Sequence, residues 1–266
     1  MVIDGKAIAE SIYQDLAPKF RVLGREAKLG IIVVGENPVI ASFVRIKERS
    51  AERLGITMLR RNLPDTASES EITSVLKELA GETDAIIPQL PLPEGINVSN
   101  VLAVVPPEKD VDALNPTIRE EDRTVHAPVA LAVVEILQRK NVHIEGARTV
   151  IVGAGRLVGA PSAWLLRKLG ADVSMFTLQE GSIDDLKNAD IIVSGAGNPG
   201  FIKPEHIKEG VALIDAGTSE LNKKIAGDAD PACAEKASVF TPVPGGVGPV
   251  AVAMIFRNLL DLIRNS

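Results

Sequence analysis

Gly153-Ala154-Gly155-Arg156-Leu157-Val158-Gly159-Ala160-Pro161 follows the apolar run Thr149–Val152 and precedes a helical pattern. A strand, a glycine turn and a helix N-terminus in that order make an anion site, because free backbone N–H groups and the positive end of the helix dipole face one point. The ligand such a turn suits is a dinucleotide pyrophosphate, with Gly153, Ala154, Gly155, Arg156, Val158 and Gly159 as candidate contacts. The third glycine stands one residue later than in G-x-G-x-x-G, so a turn that merely permits tight packing is the alternative. Two more loops leave strand ends, where α/β sheets bind ligands. Gly195-Ala196-Gly197 follows Ile191–Ser194, and Gly217-Thr218 follows Asp215; either can lie along a ribose or a nicotinamide, or be a plain turn. From Thr241 to Pro249 three prolines and three glycines exclude a propagating helix or central strand. That loop, with Pro244, Gly245 and Gly246 at its centre, offers main chain to a flat ring or a phosphate; a rigid linker is the plainer reading.

The first half carries a different set of groups. Phe43 and Lys47 are four apart, which on a helix puts an apolar ring one turn before an amine. Taken alone, Lys47 reads as a solvated surface lysine. Gln89 follows a buried strand and precedes Leu90-Pro91-Leu92-Pro93, which fixes the loop direction. Lys109-Asp110-Val111-Asp112 sets two carboxylates two residues apart, on one side of an extended segment. An ion pair of Lys109 with its neighbours is the simpler account.

The elements that must position these groups alternate along the chain. Leu29–Val34, Ala85–Pro88, Thr149–Val152, Asp172–Phe176, Ile191–Ser194 and Val211–Asp215 read as buried strands. Between them lie amphipathic stretches at Ile40–Leu54, Ser68–Leu79, Leu157–Leu169 and Pro204–Glu209. Such alternation predicts an α/β protein with parallel sheets covered by helices on both faces. It breaks once, between about Pro106 and Arg123, before a connecting helix at Val129–Leu137. Two domains are therefore expected: residues 1–120, completed by a C-terminal helix within 249–266, and a Rossmann-like nucleotide domain at residues 121–248.

Composition narrows the function classes. A net charge of -6 leaves no basic excess to neutralise nucleic acid or an anionic membrane. At 3% aromatic residues, stacking platforms for single strands are absent too. The lone Cys233 excludes an intrachain disulfide, and His126, His143 and His206 have no metal-ligand spacing, so no metal is expected. No apolar run is long enough to span a bilayer. A soluble, cytoplasmic protein is the expectation.

Taken in order, the motifs resemble the bifunctional methylenetetrahydrofolate dehydrogenase/methenyltetrahydrofolate cyclohydrolase family. Phe43-Val44-Arg45-Ile46-Lys47 stands where that family has Tyr-Val-x-x-x-Lys. Gln89–Pro93, Lys109–Ala113, Gly153–Pro161, Gly197–Gly200 and Pro242–Pro249 follow in the family's order, and Ile3-Asp4-Gly5-Lys6 matches at the start. The resemblance implies two α/β domains with a cleft between them, a folate substrate on the first, NADP on the second, and a homodimer. It implies that hydride leaves a methylene carbon for the nicotinamide and that water then adds to the methenyl product. Lys47 would be the catalytic lysine, shuttling a proton if desolvation lowers its pKa. Gln89 would orient the amine, Asp112 would accept hydrogen bonds from the pterin, and Pro244, Gly245 and Gly246 would pack on folate or nicotinamide.

The departures carry expectations of their own. Phe43 lacks the family tyrosine's hydroxyl, which should weaken water addition, with its proton traffic, more than hydride transfer. His126-Ala127-Pro128-Val129-Ala130 replaces Pro-Cys-Thr-Pro-x-Gly, Ala113 replaces a glycine, and Gly155 replaces a serine. The basic segment after the following strand is Thr177-Leu178-Gln179-Glu180, which leaves Arg156 as the nearby cation for a 2′-phosphate and Glu180 as the candidate partner of an NAD ribose. A dehydrogenase-only, NAD-using member is thus one alternative, and a folate- or nucleotide-binding pseudoenzyme another. The joint presence of Lys47, Gln89 and Asp112 speaks against the second.

Overall fold

The computed structural model describes residues 1–177, 180–221 and 224–265. Leu178 and Gln179 of the segment after the second nucleotide-domain strand lie outside the described residues. By contacts the chain divides into two units, one of residues 11–126 and 255–266, the other of residues 1–10 and 127–254. The sequence suggests breaks at 120/121 and 248/249. The first ten residues join the second unit because they pair with its sheet: Ile3 N–H donates to Phe240 O at 2.8 Å, and Phe240 N–H donates to Met1 O at 2.9 Å.

In chain order the first unit receives the end of α1 (Gly5–Arg21) and contains β1 (Lys28–Val34), α2 (Pro38–Leu54), β2 (Thr57–Leu63), α3 (Glu69–Glu82), β3 (Ala85–Pro88) and α4 (Val98–Ala103). Its sheet is parallel, in the order β2-β1-β3. β1 and β3 are apolar and buried along almost their whole length, as the sequence pattern demands of a strand covered on both faces. Ile32, Val34, Ile72, Leu76, Leu79 and Ile86 form the core between this sheet and α3.

The second unit contains α5 (Pro128–Arg139), β4 (Arg148–Val152), α6 (Gly159–Lys168), β5 (Asp172–Phe176), β6 (Ile191–Ser194), β7 (Ala212–Asp215), the hairpin β8 (Ser219–Leu221) and β9 (Lys224–Ala226), and β10 (Val239–Phe240). The main sheet is parallel, in the order β10-β7-β6-β4-β5. Counted within the unit that is 5-4-3-1-2, a doubly wound order whose direction reverses between β4 and β6. Loops at the carboxyl ends of those two strands flank the switch point, where this architecture binds its ligands. The last helix, α7 (Val247–Asn265), begins in the second unit and ends in the first.

All six expected strands are present, each within one residue of its expected limits. Besides the short elements α4, β8, β9 and β10, two longer ones have no counterpart in the sequence reading. α1 carries Ile8, Ile12, Leu16 and Phe20 at helical spacing, all buried, but it starts on glycine and contains Pro18. β2 is an edge strand whose Arg60 and Arg61 face Glu48 and Glu82, so it lacks an apolar run. The stretch Pro204–Glu209, expected to be an amphipathic helical segment, forms only a 3₁₀ turn at Pro204–His206. Three residues cannot make the turns that a helix needs to offset its nucleation cost. No helix among the described residues is long and apolar enough to cross a membrane.

Candidate active site

Lys47 is buried because of its register on α2. Asn37 caps the helix, its side chain accepting from Val39 N–H at 2.8 Å and Ile40 N–H at 3.2 Å, and Gly55 ends it at φ 70°. Between those stops the buried stripe runs Ile40, Val44, Lys47, Ala51, Leu54. An amine therefore occupies a core position, 9% exposed, and the surface-lysine reading falls. Phe43, one turn earlier, is half-buried.

Gln89 continues the line of β3, its N–H donating to Ile32 O of β1 at 3.0 Å. Its side chain is used at both ends: Nε2 donates to Leu90 O at 2.7 Å, and Oε1 accepts from Lys47 Nζ at 2.8 Å. The amide is thereby fixed with its oxygen toward the amine. Asp112 supplies the facing charge, drawing the Lys47 pKa up while burial, the larger effect, brings it down. Burial likewise raises Asp112 to about 6, with Lys47 opposing the rise and Asp110 adding to it. Desolvation thus outweighs the attraction of the two charges on both sides, leaving an amine easier to deprotonate and a carboxylate easier to protonate than in water.

A buried polar lattice holds the loop that carries Asp112. Asp110, 4% exposed, accepts from Asn115 N–H at 2.7 Å and sits 3.5 Å from Arg123, whose guanidinium also donates to Asn115 O at 2.8 Å. Asn258 of α7 donates to Val111 O at 2.8 Å. Lys109 does not pair with neighbouring carboxylates; it donates to Ala80 O and Thr83 O at the end of α3, where a cation suits the helix dipole. Ala113 takes φ 55°, a left-handed value that glycine adopts without strain. Sequence reasoning passed over Arg123, whose side chain is only 8% exposed, because it lies in the polar run Arg119–Arg123.

In the second unit the three predicted loops lie at the carboxyl ends of β4, β6 and β7. Gly153 takes φ 92°, and a Cβ on Gly159 would collide with Gly153 O. A Cβ on Gly195 would strike the Val158 side chain. Glycines are therefore what allow the β4 and β6 loops and the start of α6 to close together. Among the described residues the backbone N–H groups of Ala154, Gly155 and Arg156 have no partner, and neither does the buried hydroxyl of Ser162 in the first turn of α6. Unused donors at a helix N-terminus fit a dinucleotide phosphate. Arg156 and Thr218 are exposed, and Glu180 stands exposed in the turn after β5.

Asp215 has a different situation from these. It is 1% exposed, and its carboxylate accepts from Gly217 N–H at 2.9 Å and Ala229 N–H at 2.8 Å. Burial raises its pKa to about 6. Asp228, which no motif marks, accepts from Ser194, Ala196 and Asn198 beneath the β6 loop. Pro244, Gly245 and Gly246 belong to this unit as well. The segment Ile3–Gly5 pins their loop: Gly5 N–H donates to Gly245 O at 2.9 Å, and a Cβ on Gly5 would collide with Gly246 O. Among the described residues no group of His, Cys, Asp and Glu could hold a metal ion.

Comparison with known proteins matches the chain in two consecutive stretches. Residues 3–112 match the tetrahydrofolate dehydrogenase/cyclohydrolase catalytic domain, and residues 127–266 match the NAD(P)-binding domain of the same family. The chain is similar to the bifunctional protein FolD of Halothermothrix orenii, 34% identical over 97% of this chain and 95% of that protein. The Staphylococcus aureus FolD is 35% identical over the same shares. Among solved structures, the bifunctional FolD of Campylobacter jejuni superposes with a TM-score of 0.94 at 32% identity, covering 100% of this chain and 99% of that one. The Trypanosoma brucei enzyme, solved with NADP cofactor and inhibitor, gives 0.92 at 33% identity over 100% and 97%. With both domains matched in order, the chain belongs to the tetrahydrofolate dehydrogenase/cyclohydrolase family.

Proposed function

We propose that this chain oxidises methylenetetrahydrofolate to methenyltetrahydrofolate with NADP and hydrolyses the product to formyltetrahydrofolate. The observation that carries the reading is the buried Lys47 amine, held 2.8 Å from Gln89 and charge-coupled to Asp112. On this reading residues 11–126 with the end of α7 take the folate, and the five-stranded unit takes the nucleotide. Gly153 to Gly159, Gly195 to Gly197, Gly217 and Thr218 line the nucleotide site, with Asp215 shaping the last of these loops from below. When bound, NADP supplies the hydride acceptor. The protein's own part in that step is positioning, from Phe43 as a stacking surface and from Asp112 as an acceptor for pterin N–H groups.

Hydrolysis asks more of the side chains. The methenyl bridge is cationic, so adding water to its carbon releases one proton. A C–N bond of the resulting carbinolamine then breaks, the nitrogen taking a proton while the hydroxyl gives its own up to become the formyl C=O, for a net release of one proton. Lys47, its pKa lowered by burial, takes the first proton and can deliver it again. Gln89 keeps the amine's position through the single bond at its Oε1.

The test is the absorbance of purified protein mixed with methylenetetrahydrofolate and either NADP or NAD, followed through decay of the methenyl signal. Nicotinamide reduction with neither nucleotide would sink the dehydrogenase assignment. Use of NAD in preference to NADP is the second reading, favoured by Glu180, exposed after β5 where a carboxylate can meet a ribose. A cytoplasmic homodimer completes the proposal; the single, buried Cys233 fits a reducing compartment.

Two further results are expected. Phe43→Tyr should raise the cyclohydrolase rate relative to the dehydrogenase rate, by about tenfold if the restored hydroxyl makes one hydrogen bond near the reacting centre; an unchanged ratio in paired assays would count against a role for the missing hydroxyl. The kcat/KM for folate should fall as pH drops through about 6, because a protonated Asp112 cannot accept at both oxygens. Asp112→Asn should flatten that limb. For stability the sign is opposite: a raised carboxyl pKa adds stability below the ordinary range and loses it as pH rises through about 6.

A further inference from the structure

Asp228 is 0% exposed, outside the motifs named above, and lies under two of the loops assigned to the nucleotide. Its Oδ2 accepts from Ser194 Oγ at 2.6 Å and from Ala196 N–H at 2.7 Å, while Oδ1 accepts from Asn198 N–H at 2.7 Å. The second loop rests on the same group, since a Cβ on Gly217 would collide with the Asp228 carboxylate. Its segment is locked from both sides: Gly200 N–H donates to Gly227 O at 3.0 Å, Ile202 N–H donates to Asp228 O at 2.9 Å, and Ala229 N–H donates to Asp215 at 2.8 Å. Three donors converge on one carboxylate, which is an acceptor only and can serve them all.

We infer that Asp228 is the positioning residue of the nucleotide site, setting the Gly195–Asn198 loop and the seat of Gly217 in advance of the ligand. Fully buried, it acts on cofactor affinity through those loops without touching the cofactor. The inference rests on the assignment of these loops to the nucleotide. An asparagine of the same shape cannot replace it. The amide turns one oxygen into a donor, so either Ala196 N–H or Asn198 N–H faces another N–H, and the loop must move.

The experiment measures NADP and NAD dissociation constants by calorimetry for wild type, Asp228→Asn and Ser194→Ala. Steady-state kinetics of each and hydrogen exchange of the nucleotide-free wild type accompany it. Asp228→Asn should weaken NADP binding by about ten- to a hundredfold, the loss expected from one buried donor left without its acceptor. Its kcat at saturating nucleotide should stay within about threefold of wild type, since the interaction sets the ground-state fit of the loops. Ser194→Ala removes one donor and leaves both loop amides served, so it should bind within about threefold of wild type. The Ala196 and Asn198 amides should be protected from exchange without nucleotide.

Asp228→Asn binding as tightly as wild type, or losing kcat with affinity intact, overturns the inference. Should Asp228→Asn fail to fold, exchange in the wild type decides: protected amides support preorganisation, and freely exchanging ones overturn it. Wild type that binds neither NADP nor NAD overturns the nucleotide reading itself, and this inference with it.

Discussion

Lys47→Met is expected to slow hydrolysis of methenyltetrahydrofolate by about 10²–10⁴-fold, the usual worth of a positioned general acid–base group. The dehydrogenase rate should fall much less, because hydride transfer needs the folate held in place more than it needs a proton moved. Methionine is one atom shorter and fills most of the lysine's place on the buried stripe that holds Val44 and Ala51. It removes an amine whose burial already opposes its charge. Asp112 nevertheless loses its facing cation and Gln89 Oε1 its donor, so thermal stability should fall at neutral pH and less so where Asp112 takes up a proton. Stopped-flow decay of the methenyl absorbance, run beside a melting curve, reads both. A variant that is folded at the assay temperature and hydrolyses within tenfold of wild type would remove Lys47 from the proton path.

Gly159→Ala should weaken nucleotide binding by about ten- to a hundredfold, because overpacking of this kind typically costs about 1–3 kcal/mol. The new methyl would meet Gly153 O head-on, and also lie 3.2 Å from Ala154 Cα. Backbone on both sides leaves nothing flexible to give way, so α6 must shift from the turn that precedes it. Gly155→Ala is the companion, since nothing lies within 4 Å of a Cβ there. Loss of affinity in Gly155→Ala would then report the nearness of the ligand itself. Titration calorimetry with NADP, together with folate binding as the control on the other unit, separates the two cases. Equal affinity in Gly159→Ala and wild type would mean that the turn does not hold the pyrophosphate.

Much of this was legible in the sequence for a simple reason. Buried parallel strands are short β-branched runs, and Ile191–Ser194 or Leu29–Val34 can hardly be anything else. Glycines that permit backbone contact are visible as glycines, so the turn at Gly153–Gly159 stands out. Less visible were the residues that act by reaching across sequence. Asp228 is one carboxylate among 35 acidic residues, and only the fold shows that three donors meet on it. Arg123 sits in a charged run that reads as solvated linker, yet its guanidinium serves Asp110 and Asn115 O in the interior. The edge strand β2 and the helix α1 were hidden by arginines and by a proline, each harmless in its real position. Pro18 lies near the end of α1, and the arginines of β2 find carboxylates on α2 and α3.

Because residues 1–10, with Val2 bridged to Phe240 of β10, belong to one unit while residues 255–265 belong with the other, neither unit is a continuous stretch of the gene. A scissor cut at His126 would yield two fragments, each deprived of a piece encoded in the other. The fragment with the five-stranded sheet would lose the residues that pin its Pro-Gly loop, and the fragment with the three-stranded sheet would lose Asn258, whose amide ties down Val111 beside Asp112. Shuffling either half as a free-standing module between proteins is thus closed to this chain: inheritance of one active half entails inheritance of the other.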